Sequence, residues 1–269
     1  MRAPLYVTLE GYAVEGGFDR AYEPATCFLP MIALGHVEGP GDADGLWSQY
    51  ESVIDTLSST GITGIRLSVE WARVEPRRGR VDESALDRYG EVGAYARSRG
   101  LAVTVALVDR AWPSWLGQEA WLLPWVAPHV LDHARRVVQR LSPSIDAVVA
   151  FADRDVLIRG GYLEGIAPPW RTGATVDAGF CERQIDDIIS SLGGDPLVGP
   201  LLVTEFASVS LDTPCAEIER VRRRFGLAQV HARSALAGHG PCASRQGLLR
   251  RDGEAWRVDA SEELLEALR

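Results

Sequence analysis

Two acidic residues that follow apolar segments could do chemistry in this sequence. Glu205 follows the run Pro200-Leu201-Leu202-Val203-Thr204, and Asp153 follows Ala147-Val148-Val149-Ala150-Phe151-Ala152. Such runs predict buried parallel strands, and in an α/β barrel the carboxyl end of a strand is where catalytic groups lie. Two carboxyl groups in these places are suited to acid/base or acid/nucleophile chemistry. The alternative is that each acid caps the helix that follows it.

The composition removes several classes of chemistry. All 28 basic residues are arginine, so the chain contains no lysine for a Schiff base or for a phosphate loop. No cofactor is predicted, and no metal site is predicted among the expected strand-end acids. The formal net charge of -9 argues against a nucleic acid or an anionic membrane as a partner. A small-molecule substrate is compatible with this charge, whereas the oligomeric state stays open.

The cysteines and the first residues of the sequence indicate the cellular compartment of the protein. Four scattered cysteines without a Cys-x-x-Cys pair are more typical of reduced thiols than of a disulfide framework. No apolar stretch is long enough to cross a bilayer, and the segment from Met1 to Glu10 turns acidic too early for a signal peptide. We therefore expect a cytoplasmic protein.

The elements that must position these acids alternate between apolar and amphipathic segments. We expect strands at Tyr6–Tyr12, Gly64–Trp71 and Leu101–Val108, besides the two that end near Asp153 and Glu205, and we expect Cys27–Leu34 to be the first barrel strand. Asp82 is expected to cap a helix. The helices are expected at 46–57, 83–99, 128–141 and 175–192, near Pro214 and from Ser261, with a short strand at 247–249. This alternation over residues 1–269 predicts one domain built on a parallel α/β sheet or barrel.

Two segments resemble a known family. The run Gly61-Ile-Thr-Gly-Ile-Arg-Leu-Ser-Val-Glu-Trp-Ala-Arg-Val-Glu-Pro76 and the run Gly161-Tyr-Leu-Glu-Gly-Ile-Ala-Pro168 resemble family-1 glycoside hydrolases, the β-glucosidase group. The resemblance implies a (β/α)8 TIM-type barrel. The chain between Asp153 and Glu205 is too short for the two strands that the family has there. We therefore expect a barrel that is shortened or irregular between these two acids.

The resemblance also implies roles for single residues. Thr204-Glu205-Phe206 is similar to the family's Thr-Glu-Asn, which makes Glu205 the nucleophile, and Arg66 matches the arginine beside it. Ala152-Asp153-Arg154 stands where the family has Asn-Glu-Pro, so Asp153 takes the place of the catalytic acid. The adjacent Arg154 is expected to favour the ionised form of Asp153.

Further residues are candidates for substrate binding. His36 is matched to the glutamine of the family's sugar site, and Asp109 to its histidine after the third strand, with Glu38 expected nearby. Trp112 and Trp115 either form walls of the pocket or pack within their loop. The last candidate is Tyr162, from the second resembling segment.

Three functions remain open. The first is a glycosidase-like enzyme that uses a carboxylate pair on a glycoside or another oxygen-rich ring. The second is a natural-product biosynthetic enzyme, a cyclase or isomerase, because many of the family's sugar contacts are replaced. The third is a non-catalytic barrel that binds a ligand, because the Asn-Glu-Pro segment is lost.

Overall fold

A curved parallel sheet organises the computed structural model, which describes residues 5–20, 24–203, 208–210, 230–233, 249–252 and 255–258. Within this part of the chain, the sheet has six strands in the order β4-β3-β2-β1-β6-β5. Their bounds are β1 Leu5–Leu9, β2 Gly64–Ser68, β3 Ala102–Val108, β4 Ala147–Phe151, β5 Ser208–Ser210 and β6 Val230–Arg233. All residues of β1, β2 and β4 are buried, as expected for strands covered on both faces.

The register of the first four strands brings their carboxyl ends to one side of the sheet. Leu9 of β1 pairs with Leu67 of β2, and Leu67 pairs with Val105 of β3. Val108 of β3 pairs with Phe151 of β4. Because all these pairs are parallel, the residues that follow the four strands meet at a common edge.

The connection after Val203 requires the sheet to curl. Leu202 forms a parallel bridge to Val148 of β4, and the Val203 amide donates a hydrogen bond to the Val148 carbonyl at 2.8 Å. Only five residues later, Ser208 pairs with His231 of β6, at the other side of the sheet. In a flat sheet these positions would be about 29 Å apart, at about 4.8 Å per strand. Five extended residues span at most about 18 Å. The two sides must therefore approach each other, as in a barrel.

Helices cover the sheet between successive strands. The longer ones are α3 Leu46–Ser58, α5 Glu83–Ser98, α6 Val126–Leu141 and α7 Thr175–Gly193, and the short ones are α1 Gly11–Val14, α2 Leu29–Ala33 and α4 Trp71–Val74. A π-helix, Val156–Leu163, follows β4. A separate antiparallel pair is formed by β7 Leu249–Asp252 and β8 Ala255–Val258. Among the described residues, no helix combines the length and the apolar content needed to cross a membrane.

Most of the predicted elements are confirmed. The helices expected at 46–57, 83–99, 128–141 and 175–192 correspond to α3, α5, α6 and α7. Asp82 caps α5 through its Oδ1, which accepts from the amides of Ser84 at 3.0 Å and Ala85 at 3.2 Å. The expected strand at Gly64–Trp71 is shorter, since β2 ends at Ser68 and Trp71 begins α4. The helices expected near Pro214 and from Ser261 lie outside the described residues.

The predicted first barrel strand at Cys27–Leu34 is wrong. Leu29–Ala33 is the helix α2, and the strand that pairs with β2 is β1. Pro30 lies in the first turn of α2, where the missing amide hydrogen costs nothing, whereas a central strand would lose a hydrogen bond there. An apolar run of this length does not by itself distinguish a strand from a helix.

Candidate active site

Four acidic side chains lie at the carboxyl ends of the first four strands. Glu10 directly follows β1, Glu70 is the second residue after β2, Asp109 directly follows β3, and Asp153 is the second residue after β4. Each is less than a tenth exposed. We call these acids, together with the two arginines that accompany them, the strand-end cluster: Glu10, Arg66, Glu70, Asp109, Arg110 and Asp153.

The two guanidinium groups of the strand-end cluster hold parts of different strands together. One Nη of Arg110 lies 3.5 Å from Glu10 Oε1 and 3.8 Å from Asp153 Oδ2, so it bridges the ends of β1 and β4. Arg66, which is 2% exposed, extends from β2 and donates from Nη1 to the Ala152 carbonyl at 3.2 Å. Both guanidinium groups therefore lie among the acidic side chains of the strand-end cluster.

Asp109 is oriented by donors on both of its oxygens. The Ser68 hydroxyl, at the end of β2, donates to Oδ2. The Arg110 amide donates to Oδ1 at 2.8 Å. The bond from Ser68 holds the carboxyl group against the neighbouring strand, and the bond from the next amide in the chain fixes its other oxygen.

Glu70 has one satisfied carboxyl oxygen and one that is not. Its Oε1 accepts a hydrogen bond from the Tyr12 amide at 2.8 Å. Its Oε2 is buried and has no hydrogen-bond partner within the described part of the chain. Burial raises the pKa of Glu70 well above its usual range, and the negative charges of Glu15 and Asp109 raise it further.

The approach of Glu70 to the backbone depends on Gly11. A Cβ at position 11 would lie 2.5 Å from Glu70 Cγ and 2.7 Å from Glu70 Oε1, much closer than atoms can pack. The absence of a side chain at this position therefore allows the Glu70 carboxyl group to reach the start of α1, where it accepts from the Tyr12 amide.

A buried hydrogen-bond network begins at the backbone amide of Glu70. The Glu70 amide donates to the Tyr89 hydroxyl at 3.1 Å, and that hydroxyl donates to the Glu15 carboxylate at 2.9 Å. Arg73 Nε donates to Glu15 Oε2 at 3.0 Å. Burial raises the pKa of Glu15, and Arg73 opposes this rise. Burial also raises the pKa of Glu10, against the effect of Arg110.

The space beside these groups is a narrow cleft that is too small to admit a water molecule. Small-molecule sites commonly have about 300–1,000 Å³ of space. Within the described residues, the acids do not form a group that could hold a metal ion. The residues that line the cleft are Glu10, Tyr12, Ala13, Glu70, Asp109 and Arg110.

The structure brings three of the predicted site residues together. Asp153, Arg66 and Asp109 all belong to the strand-end cluster. Arg154 pairs with Asp186 on α7 at 2.6 Å, whereas Arg110 lies 3.8 Å from Asp153 Oδ2. The effect of Arg154 on Asp153 therefore stays a prediction.

The predicted nucleophile, Glu205, lies outside the described residues. The strand segment that precedes it, Leu202–Val203, runs beside β4, the strand that leads to Asp153. The predicted contact between Arg66 and Glu205 therefore stays a prediction, as does the pairing of Glu205 with Asp153.

The aromatic candidates make contacts typical of packing. Trp112 is buried and donates from Nε1 to the Gly117 carbonyl at 2.9 Å. Trp115 is half-buried and donates to the Glu75 carbonyl at 2.9 Å. Tyr162 is buried in the π-helix, where burial raises the pKa of its hydroxyl. Their roles in substrate binding remain predictions.

His36 and Glu38 do not follow a strand. Both are exposed, in the turn after α2, because the segment before them is helical. The end of the first strand carries Glu10 instead.

Sequence reasoning missed Glu10 and Glu70. Glu10 could have been found, since it directly follows an apolar segment with strand character, Leu5–Leu9. Glu70 lies within the run that resembles the family and follows a predicted strand, so the same rule applies to it.

Acids at successive strand ends of a curled, helix-covered parallel sheet are an arrangement typical of the α/β-barrel class, whose known active sites lie at this edge of the sheet. Within this class, the chain belongs to glycosyl hydrolase family 1. The family model matches residues 41–179, just over half of the chain. Both β2 to β4 and the π-helix lie within the matched residues.

Curated relatives cover a part of the chain. The beta-glucosidase-like SFR2, chloroplastic, of Oryza sativa subsp. japonica is 28% identical over 180 residues, which is 62% of this chain and 28% of that protein. The galactolipid galactosyltransferase SFR2, chloroplastic, of Arabidopsis thaliana is 26% identical over 129 residues, or 45% of this chain and 21% of that protein. This chain therefore matches less than a third of the length of either relative.

Solved structures confirm the fold. The beta-glycosidase from Pyrococcus horikoshii superposes with a TM-score of 0.67 at 19% identity, over 82% of this chain and 51% of that chain. The family 1 beta-glucosidase from Thermotoga maritima superposes with a TM-score of 0.66 at 15% identity, over 82% and 52%. The chain thus has the barrel fold of this family and spans about half the length of these proteins.

Proposed function

We propose that this chain acts on a glycosidic bond, with Glu205 as the nucleophile and Asp153 as a second carboxyl group of the site. The observation that supports this proposal is the convergence of buried acids and two guanidinium groups at the carboxyl ends of four strands of a family-1 barrel. This arrangement puts negative charge where a positively charged transition state at the anomeric carbon would need it.

In this proposal the Glu205 carboxylate attacks the anomeric carbon while the bond to the leaving oxygen breaks. The leaving oxygen keeps the electron pair of that bond and takes a proton from the Asp153 carboxyl group. The covalent glycosyl group is then released by an oxygen nucleophile that attacks the same carbon. Arg66 supports this role because its guanidinium is fixed at the end of β4 by the Ala152 carbonyl, beside the segment that leads to Glu205. A nearby cation favours an ionised nucleophile.

The second nucleophile decides between hydrolysis and transfer. Water gives hydrolysis, and the hydroxyl group of another sugar or lipid gives transfer. The relative from Arabidopsis thaliana is named a galactolipid galactosyltransferase, so transfer of a glycosyl group is a specific second candidate.

Site variants of the full chain test the proposal. We expect the unaltered protein to turn over aryl β-glucosides or β-galactosides, and E205Q to abolish this turnover, since an amide cannot form the covalent intermediate. D153N should lower turnover by a factor of about 10² or more. The matched control is E182Q, which alters an exposed glutamate on α7. Circular dichroism of each variant shows that the fold is kept.

The outcomes separate the candidate functions. Turnover of E205Q at the rate of the unaltered protein would contradict the assignment of the nucleophile. Added alcohol that appears in the product would favour transfer over hydrolysis, and a cyclised or isomerised product would favour the biosynthetic alternative. Sugar binding that changes tryptophan fluorescence without any turnover would favour a non-catalytic barrel.

A further inference from the structure

Three exposed arginines lie in one short turn between α4 and α5. Arg77, Arg78 and Arg80 form this group, which we call the arginine turn. Arg77 and Arg80 form an antiparallel bridge, and the Arg80 amide donates to the Arg77 carbonyl at 2.9 Å. The turn is therefore tight, and it presents three guanidinium groups from one short segment of the chain.

The arginine turn forms no salt bridge among the residues that the structure describes, whereas most other arginines there pair with a carboxylate. Glu75 and Asp82, the acids that flank the turn in the sequence, are engaged elsewhere. Glu75 accepts from the Gly79 amide at 2.6 Å and from the Trp71 indole at 3.3 Å, and Asp82 caps α5. The turn is therefore a patch of positive charge on a chain whose formal net charge is -9.

An exposed tryptophan lies beside the arginine turn. Trp125, which directly precedes α6, is 40% exposed, and Cζ of Arg78 lies 5.4 Å from the centre of its ring. Arg78 Nη2 is also 3.3 Å from His129 Nε2. The His129 ring meets the Trp125 ring edge-on, with centroids 5.6 Å apart, and the Trp115 ring at 5.4 Å. We call Trp115, Trp125, His129 and the arginine turn together the Trp125 surface.

The Trp125 surface lies at the same edge of the barrel as the strand-end cluster. Trp115 and Trp125 belong to the connection from β3 to α6, and the arginine turn belongs to the connection from β2 to α5. The Trp115 indole donates to the Glu75 carbonyl at 2.9 Å, which fixes the two connections to each other. In an α/β barrel, the connections from a strand end to the next helix form the side that carries the active site. A ligand bound to the Trp125 surface would therefore be on that side.

We propose that the Trp125 surface binds an acidic saccharide, one whose sugar rings carry carboxylate groups. The choice of a saccharide rests on the proposed function. An exposed indole offers a flat apolar face against which a sugar ring can pack. Planar guanidinium groups bind carboxylates through paired hydrogen bonds. Because the positive charge is confined to this patch of an acidic chain, charge complementarity directs an anion here and selects acidic over neutral saccharides.

The test measures how tightly the full chain binds a short oligogalacturonide, whose sugars carry carboxylates, by isothermal titration calorimetry. The methyl ester of the same oligosaccharide is the neutral control. We expect the acid to bind more tightly than the ester and to lose affinity as the salt concentration rises, because salt screens exposed charges. W125A and R77Q/R78Q/R80Q should each weaken binding of the acid by a factor of about 10.

A matched control variant is F180A/R183Q. Phe180 on α7 is 39% exposed, and Cζ of Arg183 lies 5.8 Å from the centre of its ring. This pair repeats the contact between an exposed aromatic ring and an arginine elsewhere on the molecule. Its removal should leave the affinity for the oligogalacturonide unchanged. Circular dichroism shows whether each variant keeps the fold.

Several results would overturn the proposal. They are equal affinity for the acid and its ester, equal affinity of W125A and the unaltered protein, and tighter binding of a single-stranded oligodeoxynucleotide or of phosphatidylglycerol vesicles to the same surface. Because binding is measured without turnover, the two proposals fail separately. A chain that cleaves glycosides but does not bind the oligogalacturonide contradicts the Trp125 surface alone. A chain that binds it and cleaves no glycoside contradicts the proposed function alone.

Discussion

One buried residue outside the site gives a pH-dependent stability. His133 of α6 stacks on Trp71 with ring centroids 4.9 Å apart, and its Nε2 is 3.2 Å from the Leu107 carbonyl. Burial lowers the pKa of His133 to about 3. The unfolded chain therefore binds a proton at this residue between pH about 6.5 and about 3, while the folded chain does not.

We expect the contribution of His133 to be complete above pH about 6.5 and to decrease as the pH falls, by about 1.4 kcal/mol per pH unit. Urea unfolding at several pH values measures this slope. H133Q, which keeps a donor for the Leu107 carbonyl, should show a shallower slope than the unaltered protein between pH 6.5 and 4. H36Q, at an exposed position, should leave the slope unchanged. Equal slopes for H133Q and the unaltered protein would show that His133 does not carry this effect.

Single residues of this site were predictable where they follow strands that the sequence marks clearly. Asp109 and Asp153 follow long apolar runs, and the structure has them at the ends of β3 and β4. The cation beside Asp153 was not predictable, because Arg110 and Arg154 are both adjacent to a strand end and only the packing of α7 draws Arg154 to Asp186. Contacts between distant residues depend on tertiary packing, which local patterns do not contain.

At the scale of elements, helices with clear ends were predicted well and short elements were not. The α5 helix has an acidic cap and a glycine just beyond its end, so both limits could be read from the sequence. By contrast, α1, α2 and α4 have four or five residues each, too few to show a helical period. The misassignment of α2 as a strand also put His36 and Glu38, which follow it, into the predicted site.

The Asp82 cap of α5 should make a measurable contribution to the free energy of unfolding. Asp82 accepts from the amides of Ser84 and Ala85 and from the Ser84 hydroxyl, and the hydrogen bond from Ser84 is the main reason why the pKa of Asp82 is lowered. D82A should lower the free energy of unfolding by about 1 kcal/mol, whereas D82N, which keeps an acceptor oxygen, should lower it less. Chemical denaturation measures both. Equal losses in the two variants would mean that the charge, not the hydrogen bond, stabilises the helix.

At the scale of the whole molecule, the sequence predicted the barrel and the place of its shortening. The alternation of strands and helices and the short chain between Asp153 and Glu205 both pointed to it. The structure shows how the barrel is shortened. The chain passes from α7 to Leu202–Val203, which lies beside β4. Which strand would pair with β4 could not be predicted, because the pairing of distant strands is decided by packing and not by local sequence.

A pair of cysteines tests this connection. Val148 and Leu202 face each other in a parallel bridge, so V148C/L202C should form a disulfide on mild oxidation. Thiol titration of the unfolded chain should then show two fewer free thiols than without oxidation. V149C/L202C is the matched control, because the side chain at 149 points to the opposite face of the sheet. Equal oxidation of the two variants would contradict the register of Leu202 against β4.

The curl of the sheet has a consequence for what the site can recognise. The diameter of a closed sheet grows with the number of its strands, and each strand end contributes a side chain to the mouth. Because Leu202–Val203 lies directly against β4, no other strand separates the segment that leads to Glu205 from the strand that leads to Asp153. Among the described residues at this mouth, acids and arginines predominate, so we expect small changes in the charge of a ligand to matter more here than changes in its size.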